Sequence, residues 1–207
     1  MRCVFLPAAL LALAGCAQFQ SSPGVVVQPT LDWRSMATLS DRDRLRDWRS
    51  AFVAALRAAR AGGHSADLER EGVLLEPDAA LGGGPIHNGA YRCRVIKVGA
   101  KSEGLLDYIA YPAFDCRIEQ QGALQSFTKL TGSQRHVGLV FPDSPLRQVF
   151  LGTLVLGDEG RAMEYGRDPD RDVAGWVARI DDNRWRLILP YPRYESTIDV
   201  VELVPVP

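Results

Sequence analysis

The chain has 207 residues, with 24 Lys and Arg against 25 Asp and Glu, a net charge of −1. Arginine far outnumbers lysine and is scattered among acids, so the charge forms a solvated surface with no stripe for nucleic acid or anionic membrane. The apolar content, 46%, is enough for one domain with a proper core.

The first element is a leader. Met1-Arg2 is followed by an apolar run from Val4 to Ala14, too short to cross a bilayer as a helix, which takes about 20 residues. A charged start, a short apolar core and then small residues is the layout of an export signal. Gln18, Gln20, Ser21, Ser22, Pro23 and Gly24 follow and oppose a buried helix there. The tetrapeptide Leu13-Ala14-Gly15-Cys16 resembles the lipobox of bacterial lipoproteins. That resemblance implies removal of residues 1–15 and a lipid anchor at Cys16. With Ala17 in place of an aspartate, it also implies the outer membrane, the domain facing the periplasm. Residues 16–30 read as a linker, and 31–207 as a single globular domain, helical over 39–75 and β-rich over 89–207. No later apolar run reaches membrane length.

In "LSDRDRLRDWRSAFVAALRAARAGG", Leu45, Trp48, Phe52, Leu56 and Ala59 recur at spacings of three and four, which predicts one amphipathic helix. Ser40 with Asp43 forms its capping box, Asp41 adds an early negative charge, and Gly62-Gly63 ends it. Its apolar stripe lies against a sheet; its interleaved aspartates disfavour a lipid surface. "SADLEREGVLLEP" holds a second, short helix. After Gly82–Pro85 the pattern changes to short alternating runs, predicting strands at 90–98, 106–119 (bent at Pro112), 124–130, 136–141, 147–156, 161–165, 173–180, 184–189 and 197–204. A turn at Asp182-Asn183 sets Ile180 opposite Trp185, with Trp185, Leu187 and Leu189 inward. The fold class is therefore mainly β (α+β): an antiparallel meander, barrel-like, with an N-terminal amphipathic helix packed on it.

If Cys3 leaves with the leader and Cys16 carries lipid, Cys93 and Cys116 remain. Each points inward from an alternating strand, and in an oxidising compartment a Cys93–Cys116 disulfide is the economical outcome. Two buried thiols or half a metal site are the alternatives. Without a CxxC pair, and with three histidines, no metal site is expected. No cofactor motif is present: "LGGGP" lacks the Lys-Ser/Thr of a phosphate loop.

Four clusters are candidates for chemistry. "KLTGSQRHVG" gathers Lys129, Ser133, Gln134, Arg135 and His136, either a polar hairpin tip or part of a nucleophile–base pair without the GxSxG setting. "LGDEG" offers Asp158 and Glu159, a turn or an acid pair. "YGRDPDRD" offers Asp168, Asp170 and Asp172, but Arg167 and Arg171 neutralise a calcium site. "YPRYESTID" sets Tyr191, Arg193, Tyr194 and Glu195 where they line a pocket mouth or close the barrel. The candidate polar site is Arg135, His136, Asp158, Glu159, Asp168 and Arg171; His64 and His87 read as solvent-facing.

The strings "YRCRVIKVG", "YPAFDCRI", "KLTGSQR", "FLGTLVLGDE", "YGRDPDRD" and "RWRLILPYPRYES" resemble the DUF4893-type family of bacterial exported proteins. That likeness implies a single exported domain and transfers no catalytic residue. Gly89-Ala90-Tyr91 resembles the G-x-W opening of calycin barrels such as lipocalins, a likeness of fold alone. The leading expectation is a lipid-anchored envelope protein that binds a small apolar ligand or a partner protein without catalysis. An inhibitor of a periplasmic or secreted hydrolase, with residues 17–30 entering the enzyme's cleft, is the alternative. A hydrolase using His136 and acidic residues is the third.

Overall fold

A computed structural model describes residues 31–207; the leader, Cys16 and the linker lie outside the described residues. Alternation of side-chain direction along β1 (Gly89–Ala100), in which Val95 to Gly99 are all buried because both faces are covered, determines much of the architecture. Tyr91, Cys93, Val95 and Lys97 face one side, and Ile96 and Val98 the other. The next strands are β2 (Tyr108–Ala110), β3 (Phe114–Gln121), β4 (Leu124–Lys129), β5 (Gln134–Ser144) and β6 (Arg147–Leu156). They are followed by β7 (Asp172–Asp181), β8 (Arg184–Pro190) and β9 (Ser196–Pro205). All pairings are antiparallel, in the order β2-β1-β3-β4-β5-β6-β7-β8-β9, and β9 pairs back onto β1. The result is a closed eight-stranded barrel with β2 as an extra short strand.

The 106–119 run is two strands. β3 pairs with Gly89–Cys93 and β2 with Ile96–Val98 of β1. Between them Pro112, which has no N–H to donate, marks the interruption. No strand forms at 161–165, which lies in the long β6–β7 connection. Closure leaves it no edge: β6 is paired on both sides, to β5 and β7. At the β7–β8 hairpin the register shifts between Arg179 and Asp181, so Arg179, not Ile180, stands opposite Trp185. The bulge sends Ile180 outward, where it packs with the helices.

The lumen is filled by Tyr91, Cys93, Val95, Cys116, Ile118, Phe127, Val140, Phe150, Val173, Val177, Trp185, Leu187, Leu189, Val201 and Leu203. Cys93 and Cys116 are disulfide-bonded inside it. Strands β5 and β6 approach so closely there that a Cβ on Gly138 would lie 2.2 Å from the Leu151 carbonyl oxygen. One end is stoppered by the segment before β1. Ile86 enters the core, its N–H donating to Gln148 Oε1 at 2.9 Å and its carbonyl accepting from Gln125 Nε2 at 2.7 Å.

Outside, α3 (Trp48–Ala61) lays Phe52, Ala55, Leu56 and Ala59 on Ile96, Val98, Ile188, Ile198 and Val200. Gly99, at φ +74, lets the strand pass, since a Cβ there would meet Ala55 Cα at 2.9 Å. The predicted single helix is broken at Asp47. α1 (Trp33–Met36) and α2 (Leu39–Arg46) cover β5–β7, packing Trp33 and Leu45 on Phe141, Val149, Leu151 and Ala174. The Trp176 indole N–H donates to the Leu45 carbonyl at 3.0 Å, occupying an acceptor that a continuous helix would use. The cap of α2 is Thr38, not Ser40: Asp41 N–H donates to Thr38 Oγ1. The short second helix is α4 (Ser65–Glu71), continued by a 3-10 turn at Gly72–Leu75. Buried Arg186, outward on β8, fastens that region by donating to the carbonyls of Leu74, Glu76 and Pro77 at 2.7–2.9 Å.

Candidate functional site

At the unstoppered end, the inward positions stop being apolar. Lys97 continues the inward row of β1, Lys129 that of β4, His136 that of β5, and Asp199 that of β9, directly opposite Lys97. All four are buried, 2–5% exposed. Burying so many polar groups is costly unless they pair or serve a purpose. Lys97, Lys129 and His136 border a cavity of ≈ 130 Å³ lined also by Val95, Tyr111, Phe114, Ser133, Gln134 and Glu195.

The charges are unequally satisfied. Lys97 Nζ donates to Asp199 Oδ2 at 2.9 Å, and Ser196 Oγ donates to the other Asp199 oxygen. Burial works against the Lys97 ammonium, but Asp199 and Glu195 outweigh it and hold its pKa above the ordinary value. Among the described residues, Lys129 has no carboxylate in hydrogen-bond reach. Its Nζ donates to the carbonyls of Thr131 and Gln134 at 2.7 and 2.9 Å and sits 3.6 Å over the Phe114 ring. Burial, then Arg135 and Lys97, pushes it down to about 8. His136 is pushed down to about 3 by burial and by the two lysines, so its imidazole is neutral at physiological pH. Among the described residues its buried Nδ1 has no hydrogen-bond partner.

The candidate polar site divides between two faces. His136 points into the barrel. Arg135, next along β5, points out and donates to the carbonyls of Gly132, Gly157 and Glu159. Arg171 forms a two-pronged ion pair with Glu159 at 2.9 Å, pushing that carboxylate down to about 2 together with the Leu156 N–H. Arg135, Glu159 and Arg171 thus clasp two loops. Asp168 accepts from the Asp170 N–H and shapes its own turn; Asp158 lies exposed in the β6–β7 turn. These acids and His136 do not share a cleft. Among the described residues no cluster of His, Cys, Asp and Glu is arranged to hold a metal.

From "KLTGSQRHVG" the fold takes Lys129, Ser133, Gln134 and His136 into the cavity wall, and from "YPRYESTID" it takes Glu195. Arg193 instead pairs with Asp170 at 2.6 Å. His87 is exposed against Trp185, whereas His64 is half-buried, with Nδ1 2.8 Å from Asp67 Oδ2. Sequence reasoning missed Lys97 and Asp199. Both were marked by parity, Lys97 continuing the inward row Tyr91, Cys93, Val95, and Asp199 opening the row of Val201 and Leu203. A charge at an inward position near a strand end is the signal.

A family model described as a domain of unknown function, DUF4893, matches residues 33–203. The chain belongs to the DUF4893 family. No curated protein matches it, and no solved structure does. The matched span of this DUF4893 chain includes every cavity-lining residue.

Proposed function

We propose that this DUF4893 protein is a cell-envelope lipoprotein, anchored in the outer membrane through acyl chains on Cys16, whose barrel binds a small polar molecule without catalysis. The observation that carries the binding reading is the convergence of Lys97, Lys129, His136, Ser133 and Gln134 on one small cavity of an otherwise filled barrel. An apolar ligand in the lumen is the weaker version, because the apolar part of the lumen is occupied by the protein's own side chains. The anchor rests on the sequence alone, on Leu13-Ala14-Gly15-Cys16 after an apolar core. The Cys93–Cys116 bridge agrees with an oxidising compartment.

Native mass spectrometry of the purified protein tests the binding reading. The expected result is an adduct of a small metabolite that is lost when Lys129 is replaced by Met. Ligand-free protein whose mouth residues also show no NMR shift in the small-molecule fraction of a cell extract would overturn it. Intact mass of the membrane-extracted protein tests the anchor: acylated Cys16 is expected as the first residue, and an unmodified terminus elsewhere refutes it.

A further inference from the structure

The mouth cavity carries enough chemistry to name a ligand class, and the inference rests on the binding reading above. The chain has three lysines, Lys97, Lys101 and Lys129, amid a large excess of arginine, and all three stand at this end of the barrel. Lys97 and Lys129 line the cavity, and Lys101, just past the end of β1, donates to the Pro192 carbonyl at the rim. An ammonium is a compact point charge with three rotatable donors on a flexible stem, so two of them can close on one small anion from different strands. Their fields reach one another: Lys97 acts on both Lys129 and His136, and each of those is shifted toward its neutral form.

One carboxylate is already there, supplied by the chain itself. Glu195, in the β8–β9 loop at φ +67, brings Oε2 to 3.1 Å from Lys97 Nζ. That oxygen is buried and makes no hydrogen bond of good geometry. Asp199 is tied down by Ser196 and Lys97 together, whereas Glu195 meets Lys97 through one oxygen and its side chain is 40% exposed. The remaining wall fits a small organic acid. Val95, Tyr111 and Phe114 offer an apolar side, and His136, neutral and with a ring nitrogen unpartnered among the described residues, also lines the cavity. A hydroxyl satisfies that imidazole in either tautomer, because it both donates and accepts. At ≈ 130 Å³ the cavity takes about six heavy atoms, a little less than the engineered cavities that hold benzene.

We infer that the open end of the barrel binds a short 2-hydroxycarboxylate, its carboxylate displacing Glu195 beside Lys97 and Lys129 and its hydroxyl bonded to His136. The apolar tail then rests on Phe114, Tyr111 and Val95.

Calorimetric titration of the purified protein with lactate, propionate and lactamide, each to about 20 mM because so small a ligand has few atoms to bind with, tests this. Lactate is expected to bind. Lactamide, without the charge, should bind at least about tenfold more weakly, and propionate, without the hydroxyl, about fivefold more weakly. Glu195→Gln should tighten lactate about threefold or more by removing the competing carboxylate. His136→Leu should abolish the preference for lactate over propionate. Lys129→Met should lose binding; since Lys129 also ties the Thr131–Gln134 turn, Glu195→Gln serves as the variant that leaves the fold intact. Equal binding of lactate and lactamide, or a Glu195→Gln protein that binds lactate no better, overturns the assignment. No heat with lactate, while native mass spectrometry retains another metabolite, refutes this ligand class and leaves the binding reading standing. Failure of both removes both.

Discussion

Replacing His136 with leucine should make the protein markedly less sensitive to acid. The imidazole is buried on the inner side of β5, with Lys97 and Lys129 as positive neighbours, and its pKa falls from 6.5 in the unfolded chain to about 3. A base whose pKa is depressed by folding binds its proton first in the unfolded state. Its contribution to stability is therefore intact above pH 6.5 and is lost as the pH falls from 6.5 toward 3. Each pH unit in that window costs about 1.4 kcal/mol, so the wild-type protein should lose about 2 kcal/mol at pH 5 relative to pH 7.5 through this residue alone. Leucine has no proton to take up, and its removal of an unpartnered buried nitrogen relieves a penalty of about 1–3 kcal/mol. The variant should thus be at least as stable as the wild type at pH 7.5 and clearly more stable at pH 5. Urea unfolding of both proteins, followed by tryptophan fluorescence at the two pH values, measures the difference of differences, in which all other titrating groups cancel. Equal losses between pH 7.5 and pH 5 would show that His136 is hydrated or paired in solution and is not held neutral by burial.

Three further outcomes follow from the packing. Gly138→Ala should destabilise by about 3 kcal/mol or prevent folding, because the new Cβ meets the Leu151 carbonyl at 2.2 Å and only separation of β5 from β6 relieves it; a midpoint within a few tenths of a molar urea of wild type would contradict this. Arg186→Met should cost about 3 kcal/mol by stranding the carbonyls of Leu74, Glu76 and Pro77, and hydrogen exchange should rise in Gly72–Leu75 and α4 more than in β5 and β6. Reducing the Cys93–Cys116 bridge, whose sequence separation is 23, should lower stability by about 3 kcal/mol through the unfolded chain's regained freedom; an unchanged unfolding midpoint in reductant refutes that.

Much of the architecture was legible because alternation in strands and three-to-four spacing in helices are local. The stripe Leu45, Trp48, Phe52, Leu56 and Ala59 is buried throughout, and eight of the nine runs read as strands contribute to the sheet, the 106–119 run as two strands. The inward positions of Cys93 and Cys116 followed from the same period of two and predicted their bridge. Three errors share a cause in tertiary contacts. Trp176 takes the Leu45 carbonyl and breaks the helix, the β7–β8 bulge turns Ile180 outward, and ring closure removes the edge that 161–165 needed.

By itself, then, the sequence determined which residues belong to the core faces and that the strands form an antiparallel meander. Only the tertiary structure decided that β9 meets β1, and that decision creates the site. Lys97 and Asp199 are 102 residues apart and become direct neighbours, while Lys129, His136 and Glu195 arrive from three other segments. Each of these residues alone is an ordinary polar side chain near a strand end or turn. Their chemistry comes from shared burial and mutual fields, which depend on distances set by closure of the barrel and not by spacing along the chain.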